Sequence, residues 1–152
     1  MIIFLRALAL FLVLITIAYS ENLSQNITHE FIQTARNAVY GYAIDVAIGP
    51  DGTIFMAKGS GGLKAYTYDG NSFTNTAHID DGGWARGVAV SSDGTVFLTN
   101  GDDGLRAYSY DGSSFTNTAH IDDSRDGTAV EVTLSPDGTL FLANGDDGLR
   151  AY

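Results

Sequence analysis

The sequence contains no cysteine. That removes disulfide staples, thiolate zinc sites and cysteine nucleophiles from consideration. Proline is nearly absent, with 2 residues in 152, so other residues must reverse the chain. Positive charge is scarce as well: 8 Lys+Arg stand against 18 Asp+Glu, a formal net charge of −10. Such a surface repels nucleic acid and anionic lipid and argues against both as partners. It suits cations and basic proteins. No Gly-x-Ser-x-Gly or His-Glu-x-x-His motif marks a hydrolase. No spacing of acids matches an EF-hand or a glycine-rich calcium nonapeptide.

One apolar run stands at the N-terminus. Arg6 precedes an uncharged stretch from Ala7 to Tyr19, and Ala18 and Ser20 put small residues where a signal peptidase reads, just before Glu21. This predicts a secretory signal peptide over 1–20, with an uncleaved signal anchor as the alternative. The run is short for a membrane span, which needs about 20 residues. The mature chain is therefore expected to be extracellular or periplasmic, with no membrane span. Residues 21–29 read as a linker. Asn22-Leu23-Ser24 and Asn26-Ile27-Thr28 are sequons there, and Asn22 and Asn26 would carry glycans in a eukaryotic secretory pathway.

What the chain has in abundance is glycine, 18 residues, with 8 Tyr and 8 Phe. These fall into a repeat. The turn Pro50-Asp51-Gly52-Thr53 recurs as Ser92-Asp93-Gly94-Thr95 and Pro136-Asp137-Gly138-Thr139, at spacings of 42 and 44 residues. The decapeptide from Ser72 to Asp81 is repeated unchanged at 114–123, and the nonapeptide from Asn100 to Tyr108 at 144–152. In the middle copy, Gly87 to Ser91, Thr95 to Asn100, Leu105 to Tyr110 and Ser114 to Ile121 read as four short strands, A to D. Asp-Gly between alternating apolar runs is a strong hairpin signal, because Gly supplies positive φ without steric cost. A four-stranded antiparallel meander repeating every 40–45 residues is a β-propeller blade.

The expected organisation is all-β: a degenerate strand D over 30–37, blades over 43–79 and 87–121, and a partial blade over 130–152. Phe31-x-x-Thr34-Ala35-Arg36 carries the strand D assignment, since it repeats Phe73-x-x-Thr76-Ala77-His78 at the same distance before the Asp-Gly turn. A short amphipathic helix over 28–39 competes with it. The order D, ABCD, ABCD, ABC amounts to three blades' worth of strands, and the first D could complete the last ABC. Propellers typically need about 4–8 blades. Either the chain pairs with itself to complete a ring, or it is a truncated piece of a longer propeller whose other blades are missing.

Gly87-Val88-Ala89-Val90-Ser91-Ser92-Asp93-Gly94-Thr95-Val96-Phe97-Leu98 and Gly104-Leu105-Arg106-Ala107-Tyr108 resemble the blades of NHL-like, LVIVD-repeat and SMP-30/lactonase-like propellers. The broader WD40-like architecture is similar, although no Trp-Asp dipeptide occurs. The resemblance implies a fold shared by scaffolds, lectins and hydrolases, so it does not set the function.

In a propeller, the D–A and B–C connections surround the mouth of the channel. Asp80, Asp81, Asp122 and Asp123 lie in D–A connections, and Asp102, Asp103, Asp146 and Asp147 in B–C connections. These carboxylates suit Ca2+ or another divalent cation. The plainer account is that Asp precedes Gly in turns for backbone reasons. Trp84 is the single Trp and sits with Arg86 in one D–A connection. Its counterpart is Tyr42, and Trp84 with Arg86 is the expected ligand contact. Asp45, Gly87 and Glu131 are equivalent positions at the start of strand A. The lactonase-like resemblance implies a channel metal held by Asp45, Glu131, Asn100 and Asn144, although the acids occur in two of three blades and the ligand set is incomplete. His78 and His120 are expected on the outer, solvent-facing strand. The tyrosines of strand C are expected to pack between blades. The leading expectation is a secreted, non-enzymatic module that needs no cofactor and binds protein, glycan or cation; a metal-dependent hydrolase is the alternative.

Overall fold

The computed structural model describes residues 31–37, 41–122 and 127–152. The signal peptide, the linker, both sequons and Asp123 lie outside them. Residues 1–33 and 34–152 separate into two units, and the fold is that of the second.

Among the described residues, eleven strands form two four-stranded sheets and one three-stranded sheet. The first blade holds β1 (Asp45–Ile48), β2 (Ile54–Ala57), β3 (Leu63–Tyr68) and β4 (Phe73–Ile79). The second holds β5 (Gly87–Val90), β6 (Val96–Thr99), β7 (Leu105–Tyr110) and β8 (Phe115–Ile121). The third holds β9 (Glu131–Leu134), β10 (Leu140–Ala143) and β11 (Leu149–Ala151). Every pairing is antiparallel between sequence neighbours. This is the all-β propeller-blade architecture expected from the repeat.

The A–B turns show why Asp-Gly recurs. Gly49 N–H donates to the Thr53 carbonyl at 2.8 Å, and Asp51 Oδ1 accepts the Thr53 N–H at 2.9 Å. Gly52 has φ +84°, and no described residue other than glycine has positive φ. The turn is thus a three-residue loop with one left-handed Gly, not a type I′ turn with two. In the C–D turns Asp69 and Asp111 each accept two backbone N–H groups. Those bonds hold both carboxyls below the usual range. The acids on this side of the blades are turn residues.

The core lies between blades. Phe55, Ala57, Leu63 and Ala65 of the first blade bury against Val88, Val96, Leu98 and Tyr108 of the second. One repeat further on, Ala89, Phe97, Leu105 and Ile121 meet Val132, Leu134, Leu140 and Leu142. Each fully buried aliphatic side chain contributes about 1.5–3 kcal/mol relative to exposure. The interfaces are also joined by backbone: Gly59 and Ala85 exchange two N–H···O bonds of 3.0 Å, and Gly101 and Ala129 form the equivalent bridge.

Residues 31–37 form no strand. Among the described residues the segment from Thr34 pairs with no strand, and β11 is an edge of the three-stranded sheet. The Thr34 hydroxyl instead hydrogen-bonds the Tyr68 hydroxyl, and Asn37 lines a groove on the outer face of the first blade.

Candidate functional site

The D–A and B–C connections share one side of the blades, as the antiparallel meander requires. Trp84 enters this face beside Tyr42, with ring centroids 6.4 Å apart and planes tilted by 41°. Trp84 is 40% exposed and Tyr42 71%. The indole lies over Gly59, where a Cβ would approach it to 3.0 Å. Its backbone N–H donates to the Asn100 carbonyl at 3.2 Å. Both rings are therefore open to solvent, with Trp84 held by that backbone bond. Arg86 is partly buried, donates its backbone N–H to Thr99 at 2.8 Å, and has its Nε buried without a hydrogen-bond partner.

The neighbouring acids are engaged within the fold. Asp81 accepts from the Tyr108 hydroxyl at 2.9 Å and lies 3.5 Å from the Arg106 guanidinium. Burial pushes the Tyr108 phenol well up, and the Asp81 contact adds to it. Asp103 takes Arg106 Nε at 2.6 Å and the Asn100 amide at 2.8 Å. Burial would raise the Asp103 carboxyl, but those bonds and the Arg106 charge outweigh it and leave it below the usual range. Asp80 accepts the Gly82 N–H at 3.1 Å. Asp102 accepts from Thr128 at 2.9 Å, and Asp122 is exposed. His78 and His120 donate Nε2–H to the Gly61 and Asp103 carbonyls, at 2.8 and 2.6 Å, and so pin the B–C loops.

Near the innermost strands, Asp45 Oδ1 accepts the Val46 N–H and Oδ2 the Val88 N–H, both at 2.8 Å. Asp45 therefore ties β1 to β5, a clamp that sequence alone did not suggest. Gly87 follows from packing: a Cβ there would lie 2.9 Å from Thr99 Oγ1 and 3.2 Å from Glu131 Cα. Burial raises the Glu131 carboxyl, and the Asp45 charge raises it further. Thr99, missed by the sequence reading, is fully buried, accepts the Gly87 N–H at 2.6 Å and donates to the Val130 carbonyl at 3.0 Å. Asn100 and Asn144 are buried, each with its Oδ1 lacking a hydrogen-bond partner. Asn100 donates to the Gly82 carbonyl. Among the described residues no three of His, Cys, Asp and Glu converge as a metal would require. Both Asp45 oxygens already take backbone donors.

No protein-family model and no curated protein matches the chain. Its likenesses are to solved β-propeller structures. One is in a crystal structure of a mitotic checkpoint complex, at 23% identity and TM-score 0.61, covering 71% of this chain and 36% of that one. Another is a gluconolactonase from Xanthomonas campestris, at 24% identity and TM-score 0.59, covering 76% and 39%. A third is a virginiamycin B lyase from Staphylococcus aureus, at 16% and 0.53, covering 72% and 40%. The chain thus spans about two-fifths of the length of the structures it matches. At these identities the likeness defines the fold: this is a β-propeller chain carrying a partial set of blades. No helix among the described residues is long and apolar enough to cross a membrane.

Proposed function

We propose that the chain is a secreted, non-enzymatic propeller module that binds a protein or glycan through its mouth face, as part of a larger ring. The supporting observation is the exposed Tyr42–Trp84 pair. Two adjoining aromatic faces, that of Trp84 held by a backbone bond and both left in water, suit a ligand with an apolar face and polar edges, as a sugar ring or a protein side-chain cluster has. Cation binding is the weaker form of this reading, since Asp81 and Asp103 already hold Arg106. Trp84 is the only tryptophan, so its fluorescence reports on this spot alone. Titration with a glycan panel should shift or quench it for one glycan class. Tyr42→Ala should weaken that binding by about tenfold, as loss of an aromatic anchor does. Emission unchanged across glycans and candidate basic proteins would sink the assignment of the mouth face.

A lactonase-like, metal-dependent hydrolase is the second reading, favoured only by the approach of Glu131 to Asp45. It requires a stoichiometric divalent ion to stay with the purified protein and to leave on Glu131→Gln.

A further inference from the structure

The outer faces of the first and third blades repeat the two sides of the contacts made between blades. The outer face of the first blade carries Val46, Ile48, Ile54, Met56, Tyr66 and Phe73, lining a groove of about 400 Å³ together with Ala43 and Asn37. One repeat on, Val88, Val90, Val96, Leu98, Tyr108 and Phe115 occupy the same positions and are packed against the preceding blade. The outer face of the third blade carries Phe141 and Leu149. Their counterparts Phe97 and Leu105 are packed against the following blade. The same contact is made twice inside the chain and left open once at each end. Val46 and Ile48 are 60% and 71% exposed at one end, and Leu149 is 74% exposed at the other.

The polar joints are left open in the same way. Gly59–Ala85 and Gly101–Ala129 are bridged. Gly145 repeats the loop conformation of Gly59 and Gly101, with φ +52° against +56° and +63°. It accepts from Gly148 as Gly59 does from Gly62. Ala43 is exposed where Ala85 and Ala129 are fully buried. Thr34–Tyr68 repeats Thr76–Tyr110, which joins β4 to the following blade. Thr34 therefore sits where the strand D of a blade preceding the first would lie, against that groove. The blade it would complete has the open edge of β11.

From this we propose that two copies of the chain close head to tail. The third blade of each seats on the first blade of the other, and residues 34–37 pair with β11 of the second copy. The β3–β4 and β7–β8 registers, Leu63↔Ile79 with Ala65↔Ala77 and Leu105↔Ile121 with Ala107↔Ala119, set the register between copies. Leu149 faces Asn37, Arg150 faces Arg36 and Ala151 faces Ala35. Asp147, already bonded to Arg150 at 2.6 Å, stands beside Arg36 as Asp103 stands beside His120. Two copies give about six blades, within the usual 4–8, and three would exceed it. This deepens the reading of the chain as part of a larger ring and depends on it.

The absence of cysteine makes the test clean. Ala35→Cys with Ala151→Cys in one purified full chain should give, on mild oxidation, a disulfide-linked dimer on a non-reducing gel. Neither single variant should give it efficiently, since directly opposed strand residues hold their Cβ atoms about 5 Å apart. Light scattering should give twice the chain mass. Ile48→Glu and Leu149→Glu, at exposed positions that leave the isolated fold intact, should each weaken association at least about tenfold by burying an unpaired charge. Mixing the two variants should restore one sound interface, a result a symmetric face-to-face dimer does not give. A monomeric full chain with native circular dichroism and no crosslink overturns pairing between copies and assigns both faces to further blades. Neither outcome alters the Trp84 titration, so the assembly and the ligand assignment fail separately.

Discussion

The same nine residues fold twice in this molecule, from Asn100 to Tyr108 and from Asn144 to Tyr152. In the first copy Leu105 is 5% exposed and Tyr108 1%; in the second Leu149 is 74% exposed and Tyr152 50%. The local structure is nonetheless close. Arg106 and Arg150 bond Asp103 and Asp147 through Nε at the same 2.6 Å, and both segments turn from one strand into the next. The nonapeptide therefore determines its own loop and ion pair, while burial comes from the neighbouring blade. The repeated decapeptide teaches the same lesson: Ala77 is buried on β4, and Ala119 on β8 is exposed.

The largest effect expected from this contrast is on stability. Tyr108→Ala empties a core position and leaves Asp81 without its hydroxyl donor, costing about 3–5 kcal/mol. Tyr152→Ala should cost under about 1 kcal/mol. Urea unfolding of the two variants, at concentrations low enough to keep chains apart, compares identical residues in identical local sequence. Equal losses would mean that the third blade is as tightly held as the second.

A smaller difference is expected at the glycine that ends each B–C loop. Gly62 and Gly148 both have left-handed φ, +64° and +83°. A Cβ on Gly62 would lie 2.1 Å from the Ile79 carbonyl oxygen of the fourth strand, whereas one on Gly148 meets nothing within 4 Å. Alanine at either position bears the backbone cost of about 1–2 kcal/mol. Gly62→Ala adds the collision, so its melting temperature should fall clearly further than that of Gly148→Ala. Gly148→Ala should gain a second penalty wherever a fourth strand lies on β11.

The smallest effects concern charge. Asp103 has a carboxyl below the usual range. The stability it gives is present above the ordinary Asp titration range and is lost as pH falls through its lower, folded value. Glu131 has the opposite sign: its raised carboxyl makes the native state bind more protons, so stability falls as pH rises through the region above an ordinary Glu. Melting temperature against pH should therefore drop for Asp103→Asn and rise for Glu131→Gln at neutral pH. A rise for both would show that Asp103 is strained rather than supported by Arg106.

Strands and turns were legible in the sequence because their signals are local. Asp93-Gly94 and its copies mark the A–B hairpins, and alternation from Thr95 to Asn100 marks β6. The expectation that strand C tyrosines pack between blades holds for Tyr108, buried in the core between the first and second. What the sequence concealed depends on the next blade. That Asp45 also ties β1 to β5, with its oxygens on the Val46 and Val88 N–H groups, emerges only in the fold. Asp81 reads as one of the mouth-face carboxylates, and only the fold shows Arg106 and Tyr108 reaching it. The segment over 30–37 carries a strand pattern, but a strand needs a partner, and none adjoins its described part, 31–37, among the described residues. The Tyr42–Trp84 pair was half visible, as two equivalent positions; their separation required the fold.

The Gly59–Ala85 and Gly101–Ala129 bridges are made entirely by main chain. Such a joint is indifferent to most of the side chains it connects. It needs a left-handed glycine on one side and a small, buried residue on the other. A newly duplicated blade carries both halves of the coupling in its own sequence and can join its predecessor before any surface has adapted. Blade number in such a chain behaves as an editable quantity, open to change by whole units at little structural risk, while each blade's exposed loops are left free to diverge.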